Sequence, residues 1–143
     1  MTTDDIRRFC SDYARSWERH DVSALVASYA EDCEVVSPIF NVIRGQAQLE
    51  TSFRDLFRAF SDFAVEIDDI VIESEPHDRA VILFRSLVTH RGEIFGVPGT
   101  GRRFEVRGAF VLTFENGRIT RDSRLYDFTG MLMQLGVLRA KTA

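Results

Sequence analysis

The sequence predicts an α+β protein in which helices come first and an antiparallel meander follows. Three observations carry that prediction. Apolar residues in the first sixty positions recur at spacings of three and four, from Phe63 onward they alternate, and Asn116-Gly117 interrupts the alternation with the dipeptide best suited to a type I′ hairpin.

Asp4 is placed to cap a first helix whose stripe runs Ile6, Phe9, Cys10, Tyr13 and Trp17. Asp21 caps a short second helix carrying Leu25, Val26 and Tyr29 and ending near Glu31-Asp32. The strand-like run Glu34 to Ser37 precedes Pro38, and Gly45 precedes a third helix bearing Leu49, Phe53, Leu56, Phe57 and Phe60. The meander starts with Phe63 to Ile72, polar at Glu66 and Asp68, and turns at Glu75 to Asp78. Arg79 to His90 is the next strand. Gly92 to Gly101 then leads into Arg102 to Glu115, where Phe104, Val106, Gly108, Phe110, Leu112 and Phe114 form an almost wholly apolar face. Arg118 to Asp127 is the last strand, followed by a short helix around Met131 to Leu135. A curved sheet wrapping its apolar side around the first helix leaves an apolar pouch, a common type of ligand site.

Nothing divides the 143 residues, which read as one domain over 1–143. Twelve Phe in a chain that is 45% hydrophobic suit a deep cavity, and for any single ring ordinary core packing is the competing reading. The net charge is -4 and basic residues are scattered among acidic ones, whereas a nucleic-acid surface needs a concentrated basic stripe. No apolar run approaches membrane-spanning length, and Met1 to Asp5 is acidic where a signal peptide is basic. The expected location is the cytoplasm, with Cys10 and Cys33 as reduced thiols. The three dispersed histidines have no ligand spacing, so no metal is expected. Neither a Gly-x-Ser-x-Gly elbow nor a phosphate-cradling glycine loop occurs.

Several segments together resemble one known group. Thr89-His90 before Gly92-Glu-Ile-Phe-Gly-Val-Pro-Gly-Thr-Gly-Arg102 resembles the segment joining two sheet strands in SnoaL-like polyketide cyclases. Phe114-Glu-Asn-Gly-Arg-Ile119, Tyr126-Asp127 and Met133-Gln-Leu-Gly136 resemble the C-terminal part of the same group. Asp21, Tyr29-Ala-Glu-Asp32 and Arg44-Gly45 fit its opening. The resemblance covers nearly the whole chain. It implies a cone-shaped, curved antiparallel sheet wrapped around N-terminal helices, of the nuclear-transport-factor-2-like kind. It also implies a homodimer or higher homo-oligomer, and ring closure on a hydrophobic, oxygenated, polyketide-like small molecule without metal or organic cofactor. An aspartate near the end of the last strand is the general acid/base of that group, and the matching position is Asp127.

Read from the residues alone, Asp127 is either an inward carboxyl whose charged form apolar walls disfavour, or an N-cap for the final helix. On the last strand, Ile119, Leu125 and Asp127 are assigned the inner face and Arg118, Thr120, Asp122, Arg124 and Tyr126 the other. Arg121 and Ser123 also fall on the inner face, an imperfect alternation in which a bulge could re-aim Asp127. His90 shares a side with Phe84 and Val88, and either donates to a substrate carbonyl, pairs with Asp127, or ends its strand hydrogen-bonded to solvent or backbone. Arg85, beside Leu83 and Leu87, is the candidate inward guanidinium for an epoxide-hydrolase-like alternative. The limonene epoxide hydrolase relatives place an acid two residues after that Arg, and Leu87 stands here instead. Ser37 occupies the position of the ketosteroid isomerase base, and an unpartnered hydroxyl is no base near neutral pH. Tyr13, Trp17, Tyr29 and Phe53 are candidate cavity walls, again with core packing as the competing reading. Phe110 is near the place where some cyclases carry a histidine, and Ser123 is near one where many relatives carry a bulky ring. The leading expectation is an acid/base cyclase or isomerase, and a non-catalytic binding or dimerisation module is the alternative from another class.

Overall fold

The structure is a computed structural model and describes residues 1–141. Helix α1 (Thr3–Glu18) is capped by Thr2 and not by Asp4. The Thr2 hydroxyl accepts from the Asp5 N–H while the Asp5 carboxylate accepts from the Thr2 N–H, so two orphan donors are satisfied reciprocally. Its buried stripe, Ile6, Cys10, Tyr13, Ala14 and Trp17, follows the spacing read from the sequence. Asp21 caps α2 (Val22–Ala27) by accepting from Ala24. That helix stops early, and Tyr29 opens strand β1 (Tyr29–Ser37) instead of closing a helix. The cause is a distant partner: Tyr29 pairs with Ile119, whose N–H donates to the Ser28 carbonyl. A short strand β2 (Asn41–Arg44), not legible in the sequence, folds back on β1 and runs directly into α3 (Gly45–Ala59).

The meander consists of β3 (Glu66–Glu73), β4 (Arg79–Thr89), β5 (Arg103–Glu115) and β6 (Arg118–Tyr126), with α4 (Phe128–Gln134) after it. Asn116 and Gly117 both have positive φ, 52° and 76°, as the predicted hairpin turn requires. The sheet order is β2-β1-β6-β5-β4-β3. All neighbours are antiparallel except β1 and β6, which run parallel, so the expected antiparallel sheet contains one parallel junction. The sheet is curved and unclosed. Helix α1 lies against β3 and β4 and α3 against β1 and β2, with the aromatic core between these helices and the sheet. No helix among the described residues is long and apolar enough to cross a membrane.

One irregularity positions the site. Phe114 pairs with Ile119 but Thr113 pairs with Arg121, leaving an extra residue in β6. Because side chains alternate, that insertion reverses the two faces of everything after it. Asp122 and Arg124 are therefore buried, and Leu125 is 60% exposed on the outer face. The face assignment made from the sequence for the last strand is corrected from Arg121 onward, where the exposed Arg121 is the first residue turned outward.

Candidate functional site

Arg124 is the charged group at the heart of the core, only 5% exposed. Its guanidinium carbon lies 5.5 Å from the ring centres of Trp17 and Phe53 and 5.7 Å from that of Phe110. Ring faces attract a cation, and more so when water is excluded. Arg124 Nε donates to Asp122 Oδ2 at 2.9 Å, and Nη2 donates to the Tyr29 hydroxyl at 3.2 Å. Tyr29 gives its own proton to the same Oδ2 at 2.8 Å, so Tyr13, 2.6 Å away, must donate to Tyr29. One hydroxyl and a guanidinium thus converge on one carboxylate oxygen, with Tyr13 behind the hydroxyl.

The electrostatics follow from this arrangement. Burial pulls the Arg124 guanidinium down, but Asp122 with Tyr29 and Tyr13 outweighs it and holds the group well above its ordinary value. Burial, reinforced by the Asp122 charge, pushes the Tyr13 and Tyr29 hydroxyls up, so both stay neutral. Asp122 Oδ1 and Trp17 Nε1 have no hydrogen-bond partner among the described residues.

Arg124 borders an interior cavity of about 30 Å³, walled mainly by rings and aliphatic side chains such as Phe60, Phe84, Val88 and Phe110. The other polar side chains around it are Ser37 and Tyr126, whose hydroxyls are 3.1 Å apart, and the indole of Trp17. Among the described residues Arg124 Nη1 makes no hydrogen bond, leaving it free for a ligand oxygen. No group of three or more His, Cys, Asp or Glu side chains among the described residues could hold a metal ion.

Asp127 lies outside this cluster. Strand β6 ends at Tyr126, and Asp127 is an exposed N-cap whose Oδ1 accepts from Gly130 N–H at 2.8 Å. The capping reading is the one observed, and the inward-facing placement is corrected. Asp127 borders an outer groove with Glu105, Arg107 and Gln134, and Val106 and Met131 line both that groove and the cavity. Arg85 is corrected too: it shares the face of Leu83 and Leu87, but that face is the outer one, where it bridges to Glu66 at 3.3 Å and Asp68 at 3.1 Å. Ser123, between inward Asp122 and Arg124, points outward for the same alternation reason and does not reach the cavity.

His90 is fully buried on the inner side with Phe84 and Val88, as expected, yet it does not meet Asp127. Its Nδ1 accepts from the Thr100 N–H at 3.3 Å, which places the ring proton on Nε2, and Phe60 packs against the ring at 5.7 Å. Trp17 and Phe110 line the cavity, whereas Tyr13, Tyr29 and Phe53 stand around the Arg124-Asp122 pair. The residues missed from the sequence are Asp122, Arg124 and Tyr126. Their signal was an acid, a base and a Tyr at every second position of one strand, readable only with the bulge in place.

The sequence profile described as SnoaL-like polyketide cyclase matches residues 7–135. No curated protein matches the chain. Among solved structures, AclR from Streptomyces galilaeus, a proposed hydroxylase, superposes with a TM-score of 0.83 at 24% identity, over 97% of this chain and 89% of that one. TsrD from Streptomyces laurentii gives 0.83 at 23% identity, over 96% of this chain and 99% of its own. A protein of ketosteroid isomerase-like fold from Catenulispora acidiphila gives 0.73 at 20% identity, over 91% and 93%. At such identities the likeness shows a shared fold alone.

Proposed function

Because this chain belongs to the SnoaL-like polyketide cyclase family, we propose that it is a cyclase- or isomerase-type enzyme for an apolar, oxygenated small molecule, with Arg124 as the group its chemistry turns on. Family membership supports the reaction type. The observation that carries the site is a buried guanidinium that borders an apolar cavity and whose Nη1 makes no hydrogen bond among the described residues. A carbonyl oxygen accepting from Nη1 is polarised, and the enolate oxygen formed when a base from solvent, hydroxide or buffer, takes up the neighbouring C–H proton is stabilised there. The lining is apolar and the donor is already oriented, so little reorganisation is needed as charge develops.

Asp122 touches no cavity space of its own and is a positioning residue. It fixes the guanidinium plane with Tyr29 and balances its charge, so the resting site is neutral and suits a neutral carbonyl compound. Tyr126 supplies a hydroxyl that burial pushes above its ordinary value, which makes it a proton donor and not a base near neutral pH. Asp127, held at the surface by its cap, takes no part in this reading.

A second reading, a binding module that performs no chemistry, is favoured by one observation: among the described residues no carboxylate or imidazole lines the cavity. Deuterium exchange at the activated methylene of methyl benzoylacetate, followed by NMR in D2O, separates the two. The enzyme reading expects exchange faster than buffer alone, falling by about 100-fold or more in Arg124→Gln. Binding without acceleration supports the module. Acceleration that Arg124→Gln leaves untouched removes Arg124 from the mechanism.

A further inference from the structure

The interior cavity, at about 30 Å³, has room for only one or two water molecules, whereas small-molecule sites span about 300–1,000 Å³. A ring-bearing ligand reaches Arg124 only if a wall moves. Two walls separate the cavity from outer grooves. Ile39 and Phe40 border both the cavity and a groove running along Asp55, Arg58 and Ile94. Val106 and Met131 border both the cavity and the groove that holds Asp127.

These walls are anchored differently. Val106 lies within the β5 ladder, and Met131 belongs to α4, which Asp127 caps at one end and the buried Leu135 at the other. Ile39 and Phe40 lie in the turn between β1 and β2, outside either strand. The Ile39 N–H donates to Ser37 Oγ at 3.2 Å and to the Tyr126 hydroxyl at 3.3 Å, and the Phe40 N–H reaches Ser37 Oγ at 3.5 Å. Releasing this turn breaks a few long hydrogen bonds to hydroxyls, whereas displacing the other wall breaks a ladder or a capped helix.

We propose that the Ile39-Phe40 turn is the gate through which substrate reaches Arg124, latched by Ser37 and Tyr126, and that the bulk of Phe40 limits the width of what is admitted. The proposal rests on the reading of Arg124 as the ligand's anchor, and it adds a coupling to that reading. The two latch hydroxyls also face the cavity, so a ligand oxygen that engages them competes with the Ile39 N–H for the same atoms.

Trp17, the only tryptophan in the chain, is a cavity wall and almost fully buried, so quenching of its fluorescence by acrylamide reports opening directly. Phe40→Ala and Tyr126→Phe are expected to raise the quenching constant several-fold, and Met131→Ala to leave it at the wild-type value. Amide hydrogen exchange at Ile39 is expected to quicken in Tyr126→Phe and in Ser37→Ala, with far-UV circular dichroism confirming the fold of each variant. Quenching raised by Met131→Ala and not by Phe40→Ala or Tyr126→Phe places the gate at α4 and overturns the proposal. No change in any variant overturns it as well. None of these readouts involves Arg124, so a failure here is distinct from an unaffected exchange rate in Arg124→Gln.

Discussion

At the scale of residues, the account centres on a charge pair that is costly to keep and more costly to break. Arg124→Met leaves the fully buried Asp122 uncompensated and is expected to destabilise the fold by about 3–5 kcal/mol in urea denaturation. Adding Asp122→Leu should recover most of that loss while leaving the ligand site without its anchor, because two apolar residues need no mutual neutralisation. Asp127 provides the contrasting case. As a cap, its replacement by Ala should cost about 1 kcal/mol, while Asn, an equally good cap, should be nearly neutral. Neither should slow exchange on methyl benzoylacetate, whereas an acid/base role requires Asp127→Asn to abolish it. A third carboxylate sets a pH dependence. Burial pushes Asp62 up, but the N–H and hydroxyl of Thr89, each at 2.8 Å, outweigh it and hold it below its ordinary value. Its contribution is therefore present above about pH 4 and is lost as pH falls through the lower folded value. Asp62→Asn should be less stable than wild type at pH 7, with the gap closing under acid.

At the scale of elements, what was legible depended on whether the information was local. The α1 stripe, the α2 cap, the Asn116-Gly117 hairpin and the apolar face of β5 are written in neighbouring residues, and all four are observed. The early start of β1 and the existence of β2 depend on pairing partners far along the chain or on a turn with weak local signals. The bulge in β6, which the imperfect alternation hinted at without placing it, had the largest consequence. One extra residue turned the expected inner face outward, hid Asp122 and Arg124 from the sequence reading, and made Ser123 and Asp127 look interior. Two glycines test the element-level account. Gly117 has φ 76° with open space around it, so Gly117→Ala should cost about 1–2 kcal/mol of hairpin strain and leave the site's behaviour intact. At Gly108 an added Cβ would stand 2.5 Å from the Leu125 carbonyl and 3.1 Å from the Phe84 ring, which stacks on Phe110 at 4.5 Å. Gly108→Ala should therefore weaken both stability and the response of the Arg124 pocket.

At the scale of the whole molecule, the helices cover one face of the sheet and leave the other bare. Val71, Leu83, Leu87 and Leu125 are all exposed there, beside the mixed charges of Arg85 with Glu66 and Asp68 and of Arg107 with Glu105. Apolar area rimmed by both signs suits a two-fold contact with a second copy, as the family resemblance implies. Sedimentation should show a dimer that Leu125→Glu converts to monomer, and a wild-type monomer at every concentration would remove that expectation. The architecture itself was readable because helix and strand periods are properties of segments; the site was not, because it depends on how two strands register against each other. On this reading Arg124 stabilises a negative oxygen within an apolar, largely aromatic enclosure. The most direct measurement is an absorbance titration of 4-nitrophenol bound to the protein, since its phenolate is coloured and its acid form is not. Binding to the wild-type protein should lower the phenol's apparent pKa, and Arg124→Gln should abolish the shift. A bound phenol that ionises as it does in buffer, or one that ionises identically in both proteins, contradicts the account.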